Sequence, residues 1–358
     1  MSIIRKIRRI IFLLRKKGWR YAWNLIHFNL FFGTKNPLVL KLLYWLEPYP
    51  SYLEIETTTR CNLKCIMCEH TYWKEQNRDM TFEQFKYIVD QFPKLKWLGL
   101  TGIGESFLNK DFLKMLEYVK EKDVFVELYD NFCFLDEGKI RQLIKLGVDK
   151  IFISLDASTK ETYEKIRVGS DFNKVVDNLK TFFRVKKEMK AYFPQLAFHF
   201  IVNKLNLPEI PQYIELAGSI SQGEKIVVHF TRMLHEFKEV KDLFAEIPEQ
   251  LIKLASEKAK TYGIKAVWNA DVPSRKPSVK KCSEWTMPFI FVTGHVIPCC
   301  AGNEAGSRDF QKETSLGNIF EKSFKEIWRG PKYKGLRKAL SRGKIPLACK
   351  NCCLYEKC

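Results

Sequence analysis

The sequence predicts an α/β protein: a partial barrel of six strand–helix units followed by a small cysteine-rich domain. Three observations point that way. From residue 51 onward, β-rich runs alternate with runs of helical periodicity, the pattern of parallel strands joined by crossover helices. Polar side chains recur at one parity on several of the strand runs: Glu54 with Glu56, Ser154 with Asp156, His199 with Asn203, and His229 in the middle of the next run. A packed barrel core does not accept so many polar groups, so this parity predicts a lumen that holds a ligand. Finally, most of the 11 cysteines bunch toward the two ends of the chain, which suits metal ligation better than a secreted disulfide framework.

Residues 1–48 form a basic amphipathic extension. The stretch RKIRRIIFLLRKKGWRYAWNLIHFNLFF mixes Arg and Lys with large apolar side chains at near-helical spacing, so its apolar face is expected to pack on the following domain. Peripheral contact with a membrane surface is the alternative. The core, residues 49–238, contains the strand runs YLEIETT (51–57), WLGLTG (97–102), VFVELYDN (124–131), KIFISLD (150–156), LAFHFIVN (196–203) and KIVVHFTRM (225–233), separated by helical runs such as TFEQFKYIVDQF. Residues 239–281 read as a helical linker ending in IKAVW. The segment 282–358 opens on a hairpin, FIFVTGHVIPCC with Thr293-Gly294 at its turn, continues through the helices NIFEKSFKEIW and KYKGLRKALS, and reaches CKNCCLYEKC.

At 358 residues the chain has material for one large α/β domain with an appendage. No run approaches the roughly 20 apolar residues that cross a bilayer, and the short run IIFLL lacks a small-residue cleavage site. The expected location is cytoplasmic, with membrane-surface association if the basic extension docks. A formal net charge of +19 attracts nucleic acid, anionic lipid or acidic proteins without choosing among them.

The loop after the first strand, TTRCNLKCIMCEH, places Cys61, Cys65 and Cys68 at C-x3-C-x2-C spacing. Loops at the carboxyl ends of barrel strands are where ligands bind. Two chemistries use thiolates so spaced. With His70 the three cysteines make a zinc site; alone they hold a 4Fe-4S cluster with one iron left without a protein ligand.

Over residues 49–235 the chain resembles the radical S-adenosylmethionine (radical SAM) superfamily, whose defining loop is C-x3-C-x2-C and whose core is a six-unit partial barrel. The resemblance implies that Cys61, Cys65 and Cys68 hold a reducing 4Fe-4S cluster. S-adenosylmethionine on its open iron is then cleaved to a 5′-deoxyadenosyl radical that takes a hydrogen atom from the substrate. TGIGESF resembles the glycine-rich segment that meets the methionine amino group, assigning Gly102, Gly104 and Glu105 to the cofactor, although Ile103 and Ser106 depart from the usual Gly-Gly-Glu-Pro. FISLDASTKETYEKIRVG resembles the fourth-strand motif, assigning Ser154 and Asp156 to the cofactor and Arg167 to its carboxylate. Asn131 stands where a Thr-Asn-Gly motif is common, with Phe132 in place of the glycine. His199 and His229 read as hydrogen-bonded interior histidines, with proton shuttling as the alternative.

Cys282, Cys299, Cys349, Cys352 and Cys358, with SLGNIFEKSFKEIW before the last of them, resemble the SPASM extension or its shortened twitch relative. That implies one auxiliary 4Fe-4S cluster, held by Cys282, Cys299, Cys349 and Cys352 with Cys358 as a substitute; Cys300 and Cys353 are spares. A zinc ribbon is the competing reading of the same cysteines. The resemblance as a whole implies a radical SAM oxidoreductase acting on a small-molecule, peptide, carbohydrate or lipid-linked substrate by oxidation, epimerisation or crosslinking. The net charge of +19 is expected to help recruit an acidic flavodoxin- or ferredoxin-like electron donor. The alternatives are a zinc-stabilised binding protein and an RNA-binding or RNA-modifying protein. Nothing beyond charge signals RNA, so a nucleic-acid partner is not expected.

Overall fold

A computed structural model describes residues 36–358 apart from 73, 234–237, 269–276, 305–306, 353 and 356–358, together with 18, 19, 22–24, 26, 27 and 34. Most of the basic extension, and Cys358 of the second cysteine set, lie outside the described residues.

The six expected strands are present as β1 (Tyr52–Ile55), β3 (Trp97–Leu100), β4 (Phe125–Asp130), β5 (Lys150–Ser154), β7 (Gln195–Val202) and β8 (Val227–Arg232). Between them lie two short strands, β2 (Lys64–Cys65) and β6 (Arg167–Val168), which pair only with each other. The main sheet adds β9 (Lys265–Trp268), β10 (Phe289–Ile290), β11 (His295–Ile297) and β12 (Gly317–Asn318), in the order β12-β11-β10-β1-β3-β4-β5-β7-β8-β9.

Two boundaries differ from the sequence reading. The run KAVW is no linker: it pairs parallel to β8 as a seventh parallel strand, with the helix Glu249–Thr261 as its crossover. The hairpin β10–β11 forms as expected, and β10 also pairs parallel to β1. The cysteine-rich domain therefore extends the barrel sheet from its first strand.

Local chemistry fixes the crossover helices. The helix Phe82–Asp90 starts at a capping box between Thr81 and Gln84. Asp136 caps the helix Glu137–Leu146, which stops where Gly147 takes a φ of 70°. Asp171 caps the long helix Phe172–Glu188, whose apolar stripe of Val175, Leu179 and Phe182 is buried. On the outer sheet face, Phe198, Phe200 and Phe230 meet Tyr213 of the helix Ile210–Ile220 edge to face.

The opposite parity faces the lumen in stacked layers. Tyr52, Trp97 and Phe125 close the amino-terminal end with Ala22 and Met287. Above them Glu54, Gly99, Glu127 and Lys150 are in register, and above these Tyr129 and Phe152. Ser154, His199 and His229 form the next layer, and Ile201 with Thr231 lies beyond it toward the carboxyl ends.

Candidate active site

β2 and β6 explain how the cysteine loop is held. Cys65 is in register with Arg167, and Ile66 N–H donates to Ile166 O at 2.9 Å, so the loop after β1 is stapled to the segment after β5. Leu63 N–H points at Cys61 Sγ, 3.5 Å away. The three thiols are close enough to feel one another's charge. Burial pushes Cys61 and Cys68 up to about 12 and raises Cys65 too. Three desolvated thiols keep their protons unless a cationic centre replaces them, which is the donor chemistry of an iron–sulfur cluster.

Glu105 N–H donates to Arg60 O at 2.7 Å, laying the glycine segment directly on the cysteine loop. Gly104 permits this approach, since a Cβ there would lie 2.2 Å from Thr58 O. Gly102 adopts a φ of 153° and packs on Glu56, whose Cγ a Cβ would meet at 2.6 Å. Glu105 is buried, and its Oε2 accepts Asn131 N–H at 3.0 Å. Burial, and then the Asp130 carboxylate, raise the Glu105 pKa well above the ordinary range, so one proton serves the pair.

Asn131 reaches the cysteine loop through Nδ2, which donates to Asn62 Oδ1 at 2.9 Å. Phe132 takes a φ of 60°, a conformation that favours glycine. It is kept there by Asp130 Oδ1, which accepts its N–H at 2.6 Å, and by Asn178 Nδ2, which donates to its carbonyl at 2.8 Å.

Ser154 ends β5 half-buried on the lumen side. Asp156 is fully engaged: Oδ2 accepts Arg167 Nε at 2.6 Å and Oδ1 accepts Ile201 N–H at 2.6 Å. The structure thus gives Asp156 a supporting part and sets Arg167, itself buried, with Nη1 3.8 Å from Cys65 Sγ. Arg167 is not a solvated helix end. His199 Nε2 and Thr231 Oγ1 are 3.0 Å apart, and His199 meets Tyr129 edge to face. This matches the hydrogen-bonded interior reading of His199.

Of the second set, Cys282 and Cys299 are buried and Cys349 and Cys352 partly so. Cys299, Cys349 and Cys352 line a small cavity of about 20 Å³, and Cys282 lies within electrostatic reach of Cys349 and Cys352. Burial raises Cys282 and Cys299 and pushes Cys349 up to about 12, the same behaviour as at the first loop. Cys300 faces elsewhere, against Phe289, Phe291 and Ile297.

Sequence reasoning missed three participants. Asp130 shares the Glu105 proton, and Cys133 lies within electrostatic reach of Cys65. Arg308, from the cysteine-rich domain, forms a buried ion pair with Glu56 at 2.6 Å while its N–H donates to Glu69 Oε1 at 2.8 Å. The polar parity of β1 was the available signal for Glu56; Arg308 had none.

Comparison with known proteins agrees with this arrangement. The family model of the radical SAM superfamily matches residues 55–217, and that of the SPASM iron–sulfur cluster-binding domain matches 282–353. The tungsten-containing aldehyde ferredoxin oxidoreductase cofactor-modifying protein of Pyrococcus furiosus is 25% identical over 331 residues, 86% of this chain and 88% of that one. The PqqA peptide cyclase of Granulibacter bethesdensis is 24% identical, across 81% of this chain and 77% of its own. Among solved structures, Streptococcus suis SuiB bound to S-adenosylmethionine superposes with a TM-score of 0.64 at 16% identity, covering 84% of this chain and 70% of SuiB.

Proposed function

The chain belongs to the radical SAM superfamily, with a SPASM domain, and on that premise we propose that it takes a hydrogen atom from a peptide substrate held in the barrel lumen. When bound, a cluster on Cys61, Cys65 and Cys68 together with S-adenosylmethionine supplies the radical that removes the hydrogen. The observation that carries the cofactor part is the buried carboxyl group of Glu105, laid against the cysteine loop by its own backbone N–H. Burial beside a second carboxyl disfavours the charged form of Glu105, and an ammonium group compensates that charge with a charge-assisted bond. Asn131 and Asp130 orient that carboxylate, and Arg167 sets a fixed positive charge against the loop. Ser154, at the lumen end of β5, is offered to the rest of the cofactor. Cys282, Cys299, Cys349 and Cys352 would hold the auxiliary cluster.

The peptide class is supported by the Granulibacter relative, a peptide cyclase, and by SuiB, a structural neighbour also solved with its precursor peptide at a TM-score of 0.61. Oxidation or crosslinking of a peptide removes hydrogens and is read by mass. An acidic flavodoxin- or ferredoxin-like donor suits the net charge of +19. The test is anaerobic reconstitution with iron and sulfide, then assay for 5′-deoxyadenosine with candidate peptides encoded beside the gene. Wild type is expected to form it and to release a peptide lighter by two hydrogens, one carried off in 5′-deoxyadenosine and the other lost as a proton to solvent with its electron accepted by the auxiliary cluster the second cysteine set would hold, while Glu105→Gln retains iron but loses affinity for S-adenosylmethionine. Cofactor cleavage with every peptide unaltered would refute the substrate class, and unchanged affinity in Glu105→Gln would refute the role of Glu105.

A further inference from the structure

The helix Pro37–Leu46 is built the wrong way round for a surface helix. Its inner face buries Leu40 and Leu43, and Tyr44 stacks on Trp285 and donates to Cys282 O at 2.8 Å. A surface helix turns its polar side outward. Here the outward stripe is Leu38, Lys41, Leu42, Trp45 and Leu46. Its four large apolar side chains are 77%, 43%, 78% and 55% exposed in that order. Trp19 and Trp23, earlier in the chain, are 67% and 49% exposed. Asn36 caps the helix through Leu38 N–H and Val39 N–H, so the exposed stripe belongs to a well-started helix.

Charge identifies what covers this face. The first 46 residues carry ten lysines and arginines and no aspartate or glutamate, which is more than half of the net charge of the whole chain. Exposed tryptophan and leucine on one side of a helix, embedded in a segment purely cationic, is the composition that seats an interfacial helix on anionic lipid. Among the described residues no helix is long and apolar enough to span a bilayer, so the contact lies in the surface plane. The helix leads directly into β1 from its amino end, and Ala22 packs beneath Tyr52, Trp97 and Phe125 at that same end of the barrel. The cysteine loop follows β1 at the other end.

We propose that the exposed face of Pro37–Leu46 is a docking surface for an anionic membrane. The test is co-sedimentation of the full-length, cluster-loaded protein with vesicles of phosphatidylcholine containing about one-quarter phosphatidylglycerol, compared with pure phosphatidylcholine. Wild type is expected to bind the anionic vesicles, and Leu38→Ser/Leu42→Ser/Trp45→Ser to bind them about ten-fold more weakly. These side chains point outward, so iron content and melting temperature of the triple variant should match wild type; this separates lost docking from lost folding. Absence of wild-type binding to the anionic vesicles overturns the proposal, as does binding that the triple variant leaves unchanged. So does a wild-type dimer in light scattering that the triple variant converts to monomer, which would give the face to a second copy of the chain. Cofactor cleavage is independent of every one of these outcomes.

Discussion

Gly104 shows how little space the site leaves. Its absent side chain lets the segment leading to Glu105 lie on the cysteine loop, where a Cβ would stand 2.2 Å from Thr58 O and 2.8 Å from Arg60 O. Both obstacles are backbone, so neither yields by a rotamer change. Gly104→Ala is expected to force the two segments apart and break the bond from Glu105 N–H to Arg60 O. Misplacement of about 1 Å at a reacting site costs on the order of 100-fold in turnover. The check is 5′-deoxyadenosine formation together with the change that S-adenosylmethionine induces in the spectrum of the reduced cluster; both should collapse while iron content stays. Gly335→Ala is the control, because nothing lies within 4 Å of its Cβ position in the helix Pro331–Ser341. Equal effects at the two glycines would dismiss the close-approach argument. Phe132 makes the complementary point: a position suited to glycine accepts a large residue when Asp130 and Asn178 fix its backbone and its ring is buried against Phe182. From the sequence Phe132 was a departure without a reason, because its compensation comes from Asn178, 46 residues away.

The strands of the barrel were legible because several present one apolar and one polar parity, and two-residue periodicity survives without knowledge of neighbours. β9 was not, since four residues with Trp268 at their end carry no parity signal; its pairing with β8 settles it. The β2–β6 staple was hidden for a similar reason, two residues on each side being defined only by each other. Within the lumen, parity placed His199 and His229 side by side, and the structure adds their protonation. Burial first, then the Arg167 and Lys150 charges, lower His199 to about 4; burial, Lys150 and His199 lower His229 to about 4. Both are therefore neutral near pH 7. An unfolded histidine takes up its proton near pH 6.5, whereas the folded one waits until about pH 4, so between these values the unfolded state binds more protons. Stability contributed by neutral His199 is thus complete above pH 6.5 and falls with acidification by about 1.4 kcal/mol per pH unit. His199→Gln, which keeps a hydrogen-bonding group facing Thr231, should flatten the stability profile between pH 6.5 and 5 by about 2 kcal/mol relative to wild type. Urea unfolding of the cluster-free protein at the two pH values measures it, and parallel profiles would show that His199 is already charged in the fold.

The two family domains behave as one structural unit, and the Glu56–Arg308 pair is where this can be tested. Glu56 lies just beyond β1 and supports Gly102, and its Oε2 accepts Ile103 N–H at 3.3 Å. Arg308 brings the helix Arg308–Glu313 of the cysteine-rich domain onto that carboxylate and stacks on Phe291, with its guanidinium carbon 3.8 Å from the ring centroid. The same residue holds Glu69, which opens the short helix after Cys68. Arg308 thus fastens the auxiliary domain to both segments that shape the first site, by its guanidinium to Glu56, 252 residues away, and by its backbone N–H to Glu69. Removing one partner of a buried pair leaves a charge without its counter-ion, at about 3–5 kcal/mol. Arg308→Gln is expected to cost that much, and Glu56→Gln/Arg308→Gln to recover a part, because the double variant leaves no charge behind. Since β10 continues the sheet from β1, the loss should lower a single unfolding transition seen alike by far-ultraviolet circular dichroism and by tryptophan fluorescence. Two separated transitions, with only the later one unmoved by Arg308→Gln, would mean that the cysteine-rich domain folds apart from the barrel and that the pair aligns the two without joining their stability.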